Sequence, residues 1–358
     1  MSHINRFLSG SWIRMLVLFG AFYAVSLHLA YAPLSRYSIR EHEGLKDSLD
    51  YLHLVTASVP RNADNHRLLR PLLSYTAKPI YWILRARLPE GRAAEIALIV
   101  TLCGFAALTS LGIVVLVRIA GAHPGGDRLG VGVVAGLLYV GSFWNVNHYI
   151  PGLIDGGEAC AMAWLMVALH AGKPGAWALS AIIILGTLAK ETFLIFAGLA
   201  VLTHWICLRR RPSPAVFLAA SIGLAVGLSL ILALRWYSYG SFISPMKMVA
   251  DFERASDTTF MGELIRHTRH PAFWFGVVWM LPAAILKRRA VPSSVIIPCT
   301  APAVLALLLG AYHSAGPGNV ARPIFSLLAP WICWGAAALL VSMSTRDSSA
   351  SLSPSTHR

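Results

Sequence analysis

The residues able to do chemistry fall in five short stretches. The first reads Asp47-Ser48-Leu49-Asp50-Tyr51-Leu52-His53-Leu54. Leu45, Leu49, Leu52 and Val55 recur at helical spacing, which predicts an amphipathic helix lying on a membrane surface. Asp47, Asp50 and Tyr51 then fall within about one turn of each other. Carboxylates so placed suit proton transfer, and equally a solvated polar face. The second stretch, Arg67-Leu68-Leu69-Arg70-Pro71-Leu72-Leu73, sets Arg67 and Arg70 at head-group level, followed by the interface aromatics Tyr81 and Trp82. Guanidinium groups there pair well with phosphate oxygens, or simply anchor a helix. The third runs from Asn145 to Glu158, and Asp155 and Glu158 open the helix that follows. A helix dipole favours carboxylates in its first turn, yet ionisable groups near the hydrocarbon edge tend to be functional. The fourth, Lys190-Glu191-Thr192, interrupts an apolar stretch from Ala176 to Ile206. It is either a turn in which Lys190 and Glu191 pair with each other, or charge facing a protein cavity. The fifth, a Gly/Pro-rich loop from Tyr312 to Pro323, delivers Arg322 to the last apolar run, where a snorkelling Arg is the plainer reading.

What must position these residues is a membrane bundle. The chain has 358 residues, 56% hydrophobic and 13% charged, with a mean hydropathy of +0.62. Soluble domains carry about 25% charged residues, so a soluble enzyme, a disordered chain and a disulfide-stapled secreted domain are excluded. The five cysteines make no CxxC pair and are odd in number, and they read as small core residues. Apolar runs predict about ten spans, near 12–33, 94–118, 129–148, 154–171, 175–189, 191–208, 214–235, 271–287, 292–312 and 322–344. The sequence Ala30-Tyr31-Ala32 resembles a signal cleavage site, but the run before it is long for a signal and Pro33 would follow the cut. A retained first span is expected.

Charge then sets the topology. Lys and Arg number 30 against 16 Asp and Glu, a net +14. Much of the excess is clustered between apolar runs, which points to cytoplasmic loop anchors and not to nucleic acid. The segment 67–88 would bury several charges as a span, so it is read as an interfacial helix. With it left out, Arg209-Arg210-Arg211 and Lys287-Arg288-Arg289 share the cytoplasmic side with both termini. The outside then holds loops 34–93 and 236–270 and all five chemical stretches. Residues 1–345 form a single transmembrane domain, and 346–358 a Ser-rich, disordered cytoplasmic tail.

This order of motifs resembles the GT-C superfamily of integral-membrane glycosyltransferases over about residues 10–345. The shared pattern is a first span, an outside acidic residue near an aromatic (Asp47 with Tyr51), and an amphipathic Arg-x-Leu-x-Pro-like helix (Arg67 to Leu73). A second acidic corner (Asp155), a Lys-Glu-Thr turn (Lys190 to Thr192) and a final Arg before a Pro-containing span (Arg322, Pro330) complete it. The chain departs from the pattern at Val320, where relatives often carry an acidic residue two positions before the Arg. The resemblance implies an all-α GT-C-like bundle and transfer of a sugar from a polyprenyl-phosphate-linked donor to a glycan, lipid or protein acceptor. Asp47 is the implied general base, with Asp50 second. Arg67, Arg70, Lys190 and Arg322 would stabilise the departing phosphate, and Tyr51 and Glu158 would complete the substrate site. Asp155 and Glu191 would orient the basic groups or, with Asp47, hold a divalent metal. The expected setting is a bacterial inner membrane, among membrane lipids, with the site facing the periplasm. Two alternatives stay open: a non-enzymatic GT-C-like protein that binds a lipid-linked precursor or a partner, and a secondary transporter.

Overall fold

The computed structural model describes residues 12–36, 46–57, 70–121, 128–149, 152–172, 175–208, 213–240, 259–275, 279–313 and 317–350. Among them there is no strand. Fourteen α-helices follow in order: α1 (Trp12–Arg36), α2 (Lys46–Thr56), α3 (Pro71–Leu84), α4 (Glu90–Ala120), α5 (Arg128–Val140), α6 (Asp155–Ala171), α7 (Ala176–Ala189), α8 (Phe193–Leu208), α9 (Pro214–Tyr239), α10 (Phe260–Arg269), α11 (Pro271–Phe275), α12 (Met280–Leu286), α13 (Ser293–Tyr312) and α14 (Pro317–Ala350). A π-helical turn, Asn145–Tyr149, lies between α5 and α6.

Among the described residues, six helical segments are long and apolar enough to cross a membrane: Trp12–Tyr31, Glu90–Ala120, Arg128–Asn147, Pro214–Ser238, Ser293–Tyr312 and Asn319–Ser344. The chain is therefore an integral membrane protein. The other four expected spans correspond to shorter pieces. Helices α6, α7 and α8 have 17, 14 and 16 residues, and 271–287 holds the short α11 and α12. At 1.5 Å per residue, α6 is about 25 Å long, less than the hydrocarbon thickness of about 30 Å. Helix α14 runs to Ala350, past the expected start of the tail at 346. Residues 351–358, the basic cluster Arg209–Arg211, and residues 241–258 of the loop 236–270 lie outside the described residues.

Helix α6 is the centre of the packing. It lies against α4, α7, α8 and α14. Its Gly156, Gly157, Ala159, Cys160, Ala161 and Ala163 are all buried; small residues let helix backbones approach closely where lipid offers no hydrophobic drive between spans. A second, smaller core gathers Tyr51, Leu54, Leu73, Ala77, Tyr81, Ala93, Leu98 and Ile154, joining α2 and α3 to the start of α4. The helix over 46–56 forms where the periodicity predicts it, but its buried face is rotated. Tyr51, Leu52, Leu54 and Val55 are inside, and Leu49 of the expected stripe is 41% exposed. The reason is that α2 packs on α3 and α4, and its aromatic ring fills that core. Helix α3 divides likewise: Tyr81 is buried, whereas Trp82 and Ile83 are exposed, which suits a helix half against protein and half against the membrane interface.

Candidate functional site

The first turn of α6 carries Asp155 and Glu158, and both are buried. The N-cap Ile154 supplies no side-chain bond, so the dipole of α6 favours the two carboxylates there. Across from them α7 ends at Lys190, whose backbone turns to the extended region with φ −159°. That backbone is held on both sides: its N–H donates to the Gly186 carbonyl at 2.9 Å, and its carbonyl accepts from the Phe193 N–H at 2.9 Å. Close helix approach brings the turn to α6. A Cβ on Gly157 would sit 3.0 Å from the Ala189 Cβ, and one on Gly186 would run into the Phe193 ring. Lys190 Nζ thereby reaches Asp155 Oδ1 at 2.6 Å and Glu158 Oε2 at 3.1 Å.

Two further cations close on this centre. Arg322, near the start of α14, approaches the other Asp155 oxygen, with its guanidinium 3.5 Å from Oδ2. It also donates to the Asn319 side chain. The Ser326 hydroxyl, one turn on, lies 3.3 Å from the Asp155 carbonyl and 3.1 Å from that of Arg322, which ties α14 to α6. Arg70 is the N-cap of α3, before a Pro at the first helical position, where the missing N–H costs nothing. Its guanidinium makes a two-pronged pair with Glu191 at 2.7 and 2.8 Å, and Tyr51 also favours its charge. Helix α2 is tied to α3 by the Ser74 hydroxyl, which donates to the Tyr51 carbonyl at 3.1 Å, and by Lys78, which donates to the Ala57 carbonyl at 2.8 Å.

Three cations and three carboxylates thus alternate across the end of the bundle. Buried charge is costly unless paired, and here every pairing crosses between elements. The self-paired reading of Lys190 and Glu191 is corrected by this geometry: Lys190 turns to α6 and Glu191 to Arg70, because the extended backbone at 190 sends neighbouring side chains apart. Burial alone would lower the Lys190 pKa; Asp155 and Glu158 outweigh it and raise the value above that of an ordinary lysine. Lys190 is therefore a fixed positive charge. Burial likewise acts against the Arg70 charge, and Glu191 outweighs it, holding its pKa well above the usual arginine value.

Of the sequence-predicted residues, Arg70, Tyr51, Asp155, Glu158, Lys190, Glu191 and Arg322 come together. Asp50 is half-buried on α2. Asp47 falls in the first turn of α2, but its side chain lies outside the described residues, as does Arg67 entirely. The metal set proposed from sequence does not assemble around one point among the described groups, for Asp155 and Glu191 face different cations. No group of three His, Cys, Asp or Glu suited to a metal occurs among the described residues. Sequence reasoning missed Ser326, although a Ser four positions after Arg322 in an apolar run is a readable signal, and it missed Gly157. Val320 is explained by packing: it is buried against α13, where a Cβ on Gly310 would collide with it. Beside α2, Leu49, Leu52, His53 and Thr56 line a cleft of about 430 Å³ with Glu90, Gly91 and Ala94 of α4.

No protein-family model matches the chain, and no curated protein matches it by sequence. Solved structures do. The Archaeoglobus fulgidus oligosaccharyltransferase in its apo form superposes with a TM-score of 0.60 at 13% identity, over 96% of this chain and 52% of that one. The same enzyme tethered to an acceptor peptide containing the NVT sequon gives 0.57 at 15% identity, over 98% and 52%. The chain therefore spans about half the length of the enzyme it resembles, and at these identities the likeness is one of fold. This chain is an integral-membrane helical bundle that shares its fold with about half of that archaeal enzyme.

Proposed function

We propose that the protein is a GT-C-type membrane glycosyltransferase that moves a sugar from a polyprenyl-phosphate donor to an acceptor hydroxyl on the non-cytoplasmic face. The observation that carries this reading is the buried network of Arg70, Lys190 and Arg322 with Asp155, Glu158 and Glu191, drawn from α3, α6, the α7–α8 turn and α14 to one end of the bundle. The fold likeness to an oligosaccharyltransferase supports it. In the reaction the acceptor loses its proton to a carboxylate, its heteroatom attacks the anomeric carbon, and the bond from that carbon to the lipid phosphate breaks. The phosphate leaves as an anion and needs positive charge. Arg322 is the cation best suited to take it, because its contact with Asp155 is the longest of the network at 3.5 Å. Lys190 and Arg70 are bound more tightly and supply the surrounding field, with Asp155 and Glu191 orienting them. Arg67 stands three residues before Arg70 as a further phosphate ligand. Asp47 is the proposed base, and Asp50, one turn along α2, the second choice.

The proposed setting is a bacterial inner membrane, with about ten spans, both termini cytoplasmic and the network facing the periplasm. The clustered basic residues support that orientation. Val320, packed where relatives often carry an acid, favours one second reading: a protein that binds the lipid-linked donor without consuming it.

The test is transfer of labelled sugar from a panel of polyprenyl-phosphate sugars, with wild type beside Asp47→Asn in lipid. Loss of about 10²–10⁴ in rate with folding retained is expected for removal of a general base. Full activity in the variant overturns Asp47 as base and moves the role to Asp50. Donor bound but not consumed supports the non-enzymatic reading, and neither binding nor transfer overturns both and favours a transporter.

A further inference from the structure

We infer that Lys190 is a tethered cation standing where a divalent metal ion would otherwise hold Asp155 and Glu158 together. Two carboxylates three residues apart, both on the first turn of a buried helix, form a clip open to a single cation. The clip is filled by an ammonium group at 2.6 Å from one carboxylate and 3.1 Å from the other. The second observation is an oxygen the ammonium leaves over. Glu158 is fully buried, and among the described residues its Oε1 has no hydrogen-bond partner. Asp155 likewise has a second oxygen, which faces Arg322. The carboxylates thus offer more oxygen ligands than one lysine uses, as expected of a set able to coordinate a hard cation such as Mg²⁺, Mn²⁺ or Ca²⁺.

Charge accounts for the substitution. With both ionised, Asp155 and Glu158 bring two negative charges, and Lys190 and Arg322 bring two positive ones. A divalent ion would bring the same +2. The chain supplies that charge from side chains whose backbones are fixed, Lys190 by its bonds to Gly186 and Phe193 and Arg322 through the Ser326 tether. Removing Lys190 leaves the carboxylate pair one positive charge short in a place where unpaired charge is expensive. The vacated space then lies beside oxygen ligands and favours a divalent cation. This inference concerns cation binding alone and does not depend on the donor reading.

The experiment is a Mn²⁺ titration of the full chain in lipid nanodiscs, with bound metal read from the loss of the free-ion paramagnetic resonance signal. The proteins are wild type, Lys190→Ala and Lys190→Ala with Glu158→Gln. The single variant is expected to gain one Mn²⁺ site at least tenfold tighter than anything in wild type, and the double variant to lose it. Mn²⁺ should also raise the unfolding midpoint of Lys190→Ala and leave wild type unchanged. A folded Lys190→Ala protein that binds no better than wild type overturns the inference. So does a Mn²⁺ site in wild type that Glu158→Gln abolishes. Should Lys190→Ala not fold, Lys190→Met, which keeps the length of the side chain and removes its charge, takes its place and is read in the same way. Donor turnover enters neither reading, so failure here is distinct from failure of the transferase proposal.

Discussion

At its first turn α6 carries Asp155 and Glu158; at its last it carries His170, about 22 Å away along the axis. Both ends bury polar side chains, the first against the α7–α8 turn and α14, the last against α8 and α13. At the first turn the groups are charged, and each finds its counter-charge on another element. At the last turn they are imidazoles with neutral partners. The His170 Nδ1 donates to the Met166 carbonyl at 2.8 Å, and its Nε2 accepts from the Ser294 hydroxyl at 3.1 Å. His204 packs edge-on to His170, with ring centroids 4.7 Å apart, and donates to the Ser294 carbonyl at 3.0 Å. Polar burial alone therefore does not mark a site. What distinguishes the first turn is charge that only distant elements can neutralise, which makes the geometry depend on the whole bundle and lets an anionic ligand compete for part of it.

Asp155→Ala breaks this comparison hardest. It removes a partner of both Lys190 and Arg322, and Glu158 alone cannot balance the two. Taking one member from a buried ion pair costs about 3–5 kcal/mol. A matching drop in the thermal unfolding midpoint of the lipid-embedded protein is expected, together with loss of transfer. A stability unchanged to within about 1 kcal/mol would show that water reaches the network. Arg322→Ala sharpens the same contrast from the other side. Its contact with Asp155 is long, so unfolding should shift less than for Asp155→Ala, while binding of a polyprenyl-phosphate sugar weakens about tenfold or more, the usual scale of a charge-assisted contact at about 1.5–3 kcal/mol. Equal loss of stability in the two variants would make Arg322 a structural member of the network and move the phosphate contact elsewhere.

How much of this could be read from the sequence follows from range. Helix content and the membrane setting depend on local composition, and they were legible: long apolar runs at α4, α9, α13 and α14 need no partner to be recognised. The candidate residues were legible as types, because a Lys-Glu pair inside an apolar stretch is conspicuous. Their pairing was not. Lys190 and Glu191 are adjacent in the chain and were open to being read as partners, yet they diverge to α6 and to α3, 35 and 121 positions away in sequence from their real contacts Asp155 and Arg70. Long-range pairing of that kind is fixed by packing, here by Gly157 and Gly186 admitting α7 and Phe193, and glycines in an apolar helix give no sign of which neighbour they admit. The face of α2 was misread for a similar reason. Tyr51 groups by spacing with Asp47 and Asp50 and reads as a substrate-site residue, and the core under α3 claims its ring. Helix α6, expected as a span near 154–171, has only 17 residues, short of the bilayer, as a helix surrounded by other helices can be because it need not match the bilayer by itself.

The smallest effect is expected at the opposite end of α6. Ser294→Ala removes the hydroxyl that donates to His170 Nε2 and leaves the Ser294 carbonyl, which His204 uses, in place. One neutral hydrogen bond at a half-buried position contributes about 0.5–1.5 kcal/mol, so the unfolding midpoint should fall slightly. The network at the first turn loses no charge and no contact, and α6 between the two ends is packed along its whole length. Transfer, donor binding and the response to Mn²⁺ should therefore match wild type. If Ser294→Ala instead lowers donor binding as far as Arg322→Ala does, the two ends are coupled through α6, and the helix acts as a rigid rod whose position at one end sets the ion-pair distances at the other.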